Sequence, residues 1–271
     1  MNTTEGTQQG SRLAEALSAD DSSIRLKAAL ATGTRPDPEL LDTLVERCAV
    51  EPDFYVRDML SWALTRLPAE NTLPRVRREL DSPRDQARSQ ALHTLSKIGD
   101  GRAWAWITRD MLRDADDEVA RTAWRVAVVL APEEERAELA KELTGQLGRG
   151  DRQVQLSLSR ALVDLGAVIE AALARASADR DPAVAAHARA TGLLLHDPEA
   201  GFDWAIHEAR RIVSLGPDTA VSIAEGSGAE SAGAEGAGPG SVGSAGAGNA
   251  GVGAAGASGG DGAETAEEMG C

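Results

Sequence analysis

Apolar positions along this chain fall at helical spacing in short segments, and each segment is cut by a turn. The stretch "QALHTLSKIGDGRAWAWI", Gln90 to Ile107, shows one unit. Leu92, Leu95 and Ile98 share one helical face, Gly99-Asp100-Gly101 breaks the pattern, and a second helix is predicted from Ala103 to Met111. Similar units lie upstream in "ADDSSIRLKAALATG" and "EPDFYVRDMLSWALTRLP". They return downstream in "DADDEVARTAWRVAVVLAP", "RGDRQVQLSLSRALVDLG" and "DRDPAVAAHARATGLLL". Each opens on Asp or a polar turn and then places a small or branched apolar residue: Ile24, Val56, Ala87, Val119, Val154 and Val184. These starts recur at roughly 30 to 35 residues, the period of a stacked array of helical hairpins.

The register holds inside each unit. Four residues after the start come Ala28, Leu60, Ala91, Ala123, Leu158 and Ala188. Seven after it come Ala31, Ala63, Thr94, Val126, Ala161 and Thr191. At the helical period these form one narrow, mostly small-residue stripe, which lets neighbouring helices approach closely. Between these segments lies a second helical set, including "PELLDTLVERCAV", "TLPRVRREL" and "PEEERAELAKELTGQL". Gly33, Gly99, Gly166 and Pro68 are placed as helix stops. Asp21, Asp53, Asp116 and Asp151 are placed as caps for free helical amides. Alternating strand patterns and Asn-Gly hairpin turns are absent from the sequence.

Composition changes near Gly216. From Pro217 to Cys271 there is no Lys or Arg, and Gly, Ala and Ser dominate, as in "GSVGSAGAGNAGVGAAGASGG". Such a segment has little apolar surface to set against its ordering entropy, so a disordered acidic tail is expected over 217–271. Residues 1–11 are expected to be a disordered N-terminus, with the repeat domain over 12–216. Arg12 to Ala19 would cap one end, and "PEAGFDWAIHEARRIVSL" would close the other with Phe202, Ile206, Ile212 and Val213 turned inward.

With 43 acidic against 28 basic residues the net charge is −15, which is unfavourable for gripping a phosphate backbone. Of the two cysteines, Cys48 falls on an apolar helical pattern and Cys271 ends the tail, so no disulfide framework is expected and a reducing, cytoplasmic setting fits. "MNTTEGTQQG" has neither the basic start nor the apolar run of a signal peptide. The most apolar run, "VAVVLA", is too short to span a bilayer, so no membrane association is expected.

The segment "ARSQALHTLSKIGDGRAWAWI" resembles the bacterial HEAT-like repeats first named for phycobilisome lyases, whose pattern is roughly D-x-x-V-R-x-x-A-x-x-A-L, then I-G-D and R-A-x-x-x-[LI]. "DFYVRDMLSWAL" and "DEVARTAWRVAV" match in part, and the likeness covers about residues 12 to 216. It implies an all-α, right-handed α-solenoid of about six stacked hairpins. The chain is also similar to the repeat region found behind MerR-type regulators in actinobacteria. Only about 20 residues precede the first repeat, too few for a winged helix, so no DNA-reading role is carried over.

In HEAT-type arrays successive helices present a column of outward residues, the usable surface of a solenoid. Six residues after each start this column reads Leu30, Trp62, His93, Arg125, Arg160 and Ala190. Arg66, Lys97 and Asp164 stand one turn on, and Arg121 appears beside Asp58. Trp62, Arg66, His93, Lys97, Arg121, Arg125 and Arg160 are therefore the expected partner-binding residues, suited to a protein or acidic peptide. Arg25, Arg57 and Arg88 occupy the basic position of the repeat and are expected to bridge to Asp residues of neighbouring repeats. Trp104, Trp106 and Trp124 are expected to be packing residues.

No metal-ligand spacing, phosphate loop or nucleophile signature is present; His207-Glu208 is an isolated pair, and four histidines lie scattered. No cofactor is expected, and a non-enzymatic scaffold or adaptor that binds a protein partner along the concave face of the array is the expected function. The alternative is a HEAT-like DNA-lesion binder or glycosylase, for which Trp62, Trp124, Arg125 and Asp58 would supply the Trp, Arg and Asp of a base-excising face.

Overall fold

A computed structural model of the chain describes residues 3–197 and 201–215. The expected disordered tail, 217–271, lies outside the described residues. Long helices α2 (Ser22–Thr34), α4 (Phe54–Thr65), α6 (Asp85–Ile98), α8 (Asp117–Leu130), α10 (Arg152–Asp164) and α12 (Pro182–His196) alternate with shorter ones. The shorter set is α3 (Leu41–Cys48), α5 (Ala69–Glu79), α7 (Arg109–Leu112), α9 (Arg136–Thr144) and α11 (Glu170–Ala176). α1 (Thr3–Leu17) precedes the array and α13 (Phe202–Leu215) follows it. Consecutive long helices lie directly on one another, and each also meets the short helix before it. The result is an all-α solenoid of stacked helical hairpins, with no strand among the described residues.

The small-residue stripe lies between the long helices. Ala28, Leu60, Ala91, Ala123, Leu158 and Ala188 are all buried, and one continuous core joins α2 to α12. Burial of this stripe drives the stacking, since a single hairpin has no second face to cover it. Carboxylate caps fix where the long helices begin. Asp21, Asp53, Asp116 and Asp151 accept hydrogen bonds from Ser23, Val56, Val119 and Val154 amides, and Asp181 caps α12 through Ala183. Gly99 and Gly166 take left-handed backbone at the ends of α6 and α10, as expected of helix stops.

Four local expectations are corrected. Residues 1–11 are not wholly irregular: α1 starts at Thr3. Gly10, Leu13, Ala14 and Leu17 stand at helical spacing and are all at least partly covered, so the capping stripe continues upstream of Arg12. Ala103 to Met111 is not one helix. A 3₁₀ segment, Gly101–Trp106, gives way at Ile107 to α7, whose Met111 amide is capped by Thr108. Gly33 is not a stop, because α2 runs through it to Thr34. Pro68 ends no helix but occupies the N-cap position of α5.

α13 covers the last long helix. Phe202, Ala205, Ile206 and Ala209 bury themselves on Ala186, Ala190 and Leu194 as a second small core, with Val213 partly buried beside them. Arg152 and Asp203 tie α13 back to α10 through a bidentate ion pair.

Candidate functional site

Residues one position after each repeat start form the first layer of polar structure. Arg25, Arg57 and Arg88 each turn back onto carbonyls five or six residues upstream: Ala19 and Asp20, Glu51 and Pro52, and Ser82. Two of them also reach the next repeat. Arg25 grips Glu51 through two 2.8 Å bonds, and Arg88 reaches Asp114 through two of 3.2 Å. Arg57 breaks the expected ladder. The corresponding position in the following repeat is Ser82, and Arg57 instead lies over the Phe54 ring at 5.9 Å.

Glu51 is fully buried, and the ladder's strongest rung is built on it. Burial pushes its carboxyl up, but hydrogen bonds from Arg25, the Asp53 amide and Arg47 outweigh burial and hold it below the usual range. The sequence reading expected capping Asp residues as partners and missed Glu51. The signal available was its place five residues before a repeat start, matching Asp114.

The outward column runs over α4, α6, α8 and α10. Asp58 on α4 accepts a 2.6 Å bond from Lys97 on α6, and its carboxylate lies 3.7 Å from the His93 ring. His93 is pushed below its ordinary value by burial and then by Lys97 and Arg125, against the pull of Asp58. It therefore adds no full charge to the face at neutral pH. Arg121 is turned along the stack, bonding Ser157 on α10 at 2.9 Å and Glu118 on its own helix at 3.2 Å. Arg66, Arg125 and Arg160 are exposed and make no ion pair among the described residues.

Trp62 is half-buried rather than displayed. A Cβ built on Gly33 would come within 2.1 Å of its six-membered ring, so the indole packs against α2 where only glycine leaves room. The seven expected residues thus divide. Lys97, His93 and Arg121 are engaged by neighbours, Trp62 fills a packing gap, and Arg66, Arg125 and Arg160 face water. Arg160 borders an open cleft of about 230 Å³ whose floor includes Leu156, Leu194 and Phe202, with Asp164 on its edge. Burial raises the Asp164 carboxyl, and Arg160 works against it.

The other tryptophans mostly pack. Trp124 is fully buried and donates from Nε1 to the Leu112 carbonyl at 2.8 Å. Trp104 and Trp106 are partly buried against the core, and Arg77 lies 5.2 Å over the Trp106 ring. Trp204 on α13 is 57% exposed, as are the adjacent Phe54 and Tyr55 at 62% and 70%; none of these was singled out by periodicity, because they lie off the repeat column. The base-excising set fails on geometry. Trp124 is in the core and so cannot join Asp58, Trp62 and Arg125 on one open face, where Asp58 is paired with Lys97.

Among the described residues, no group of three or more His, Cys, Asp or Glu is placed to hold a metal ion. No helix among them is long and apolar enough to cross a membrane. Cys48 is buried, and burial pushes its thiol up to about 12, which makes it an unreactive core residue.

No protein-family model matches the chain, and no curated protein matches it. Among solved structures it is similar to an engineered protein, at 18% identity over 76% of this chain and 97% of that one, with a TM-score of 0.40. It is also similar to a chain in the complex of CpcE and CpcF of phycocyanin lyase from Nostoc sp. PCC7120. There the identity is 16% over 80% of this chain and 92% of that one, with a TM-score of 0.41. Likeness at this level transfers no activity or partner. The expectation that the chain is not an enzyme is withdrawn; the solved structures it is similar to include a chain of a complex named a lyase. A missing catalytic signature in the sequence is no ground for excluding catalysis.

Proposed function

We propose that this chain is a helical-repeat scaffold that binds a protein partner, an acidic peptide or helix, along the outward face of its long helices. The observation that supports it is the set of Arg66 at the end of α4, Arg125 on α8 and Arg160 on α10, exposed and without ion pairs among the described residues. Of the acids on this face, Asp58 is held by Lys97, and Asp164 borders the cleft of Arg160 without an ion pair to it. Lys97, His93 and Arg121 then serve as the fixed frame, and Trp62 as an edge beside it. A planar guanidinium suits bidentate recognition of carboxylates. Membership of the bacterial HEAT-like repeats and a cytoplasmic setting belong to this same proposal, supported by the match at 87–107 and by the buried free thiol of Cys48.

The test is capture from source lysate by the native chain beside an Arg66/Arg125/Arg160→Ala triple variant, with helicity of both checked by circular dichroism. The expected result is a protein retained by the native chain and lost by the folded variant. Equal retention by both would remove the reading, and selective retention of nucleic acid would replace it.

A further inference from the structure

A second feature lies away from the arginine row. Helices α11, α12 and α13 leave an open cleft of about 430 Å³, with Leu173, Leu193 and Ile212 among its apolar walls. This falls within the size range of small-molecule sites. One side of the cleft is polar and is made by Arg189, which donates from Nη2 to the Ser177 carbonyl at 3.0 Å. The Nε of Arg189 is buried and has no hydrogen-bond partner, and no carboxylate lies within ion-pair distance of this guanidinium among the described residues. A buried guanidinium nitrogen without an acceptor is unfavourable unless an incoming group supplies one.

The cleft exists partly because residue 192 is glycine. Gly192 lies inside α12, where glycine weakens a helix relative to alanine. Its backbone does not demand glycine, since it is absent from the left-handed positions. Its neighbours do not demand it either, because a Cβ there would meet nothing within 4 Å. Gly33 is the contrast, where Trp62 occupies the space. At Gly192 the space is empty and opens into the cleft.

We propose that this cleft binds a small amphipathic anion, a linear aliphatic carboxylate whose chain lies along Leu173, Leu193 and Ile212 and whose head accepts from Arg189. The carboxylate of Glu170 also borders the cleft but does not cancel the cation. Glu170 opens α11 and Ser177, beside Arg189, follows its end, so the two are separated by about 10 Å of helix. His196 stands on the rim with its Nδ1 engaged by the Gly192 carbonyl at 2.8 Å, which leaves Nε2 toward water. The proposal is independent of the partner face on α4 to α10.

The probe is sodium octanoate, titrated into the full chain while leucine methyl resonances are followed, with 1-octanol and octylamine as matched chains carrying other heads. Octanoate is expected to shift the Leu173 and Leu193 methyls saturably, at least tenfold more tightly than either control. Gly192→Leu should weaken octanoate at least tenfold with helicity kept. Arg189→Gln should remove the preference for octanoate over octanol while leaving octanol unchanged. Gly192→Ala, which favours the helix, guards against a folding artefact and should give an intermediate loss. Absence of saturable shifts, equal affinity for octanoate and octanol in the native chain, or unchanged octanoate affinity in Gly192→Leu would each overturn the proposal.

Discussion

Between α2 and α4 the chain buries an ion pair; between α10 and α12 it buries a neutral ring. At the first junction Arg25 and Arg47 converge on the fully buried Glu51. At the second, His187 on α12 is fully buried and accepts at Nδ1 from the Gly148 amide at 3.0 Å, which puts the ring proton on Nε2. That nitrogen faces the Gln155 carbonyl and the Ser159 hydroxyl, each at 3.0 Å. Ser159 meets Thr191 at 2.8 Å, and Thr191 donates to the His187 carbonyl at 2.9 Å. The basic position of the repeat is Arg in the first three units and Ala120, Gln155 and Ala185 in the last three. One backbone geometry therefore accepts two kinds of polar seam, and the two seams respond differently to charge removal and to acid.

Charge removal separates them most sharply. Glu51→Gln leaves Arg25 buried against a neutral amide, and losing one partner of a buried pair costs about 3–5 kcal/mol. Asp114→Asn at the half-open Arg88 rung removes a similar bond nearer water, and about 1 kcal/mol is expected. Urea unfolding of both variants measures the difference. Equal losses would mean that burial of Glu51 does not set the strength of the ladder.

Acid separates them in the opposite order. Burial pushes the His187 ring down to about 4 from the ordinary 6.5. Below 6.5 the unfolded chain takes up a proton that the folded chain refuses, so stability at this seam is full above 6.5 and falls as the pH drops to about 4. At roughly 1.36 kcal/mol per pH unit the loss comes to about 3 kcal/mol. Glu51 has the same sign but a lower pH window. Its folded value lies below the ordinary one, so its contribution is present above the ordinary carboxylate range and disappears only at lower pH. Hydrogen exchange at pH 7 and pH 4.5 is expected to show α12 losing protection while α2 and α4 keep theirs, and His187→Asn should flatten the response of α12. Loss of protection at both ends together would break the distinction.

Two helical glycines sharpen the same comparison at smaller scale. Gly33→Ala drives a methyl into the Trp62 ring, and overpacking of this kind costs about 1–3 kcal/mol. Gly192→Ala meets open space and should stabilise the C-terminal end by about 0.5–1 kcal/mol. Thermal melts of the two variants should move in opposite directions. Adding Trp62→Leu to Gly33→Ala should recover part of the first loss, because the clash lies between those two residues.

The periodic part of this structure was legible in the sequence, because the small stripe of Ala28, Leu60, Ala91 and their equivalents is forced by stacking and repeats wherever stacking does. The capping Asp residues were legible for the same reason, since an exposed amide at a helix start needs an acceptor. Features that depend on what faces a position from another repeat were not. Gly33 looked like a stop because periodicity does not show that Trp62 covers it. Arg57 looked like a rung, but position 82 in the following repeat is Ser. The column of expected binding residues was found as a row, yet it held two populations. Lys97, His93 and Arg121 lie within reach of Asp58 or Ser157, whereas Arg66, Arg125 and Arg160 do not. Outward register alone does not distinguish them.

That division gives the smallest expected effect on stability and the most direct test of the face. Arg125 and Arg160 are exposed and hold no ion pair among the described residues, so Arg125→Ala and Arg160→Ala should each change unfolding stability by no more than about 0.5 kcal/mol. Lys97→Ala strips Asp58 of its 2.6 Å partner, but that pair is about one-third exposed, so its loss should also stay within about 1 kcal/mol. The contrast therefore has to be read in binding. If the unpaired arginines carry the face, Arg125→Ala and Arg160→Ala reduce partner retention while their melts overlay the native one, and added salt weakens the native complex. Lys97→Ala leaves Asp58 as an unneutralised anion on the same face, so it should weaken retention of an acidic partner as well. Asp58→Asn should strengthen it. Opposite responses to Lys97→Ala and Asp58→Asn would identify charge as what the face presents, and identical responses would identify shape.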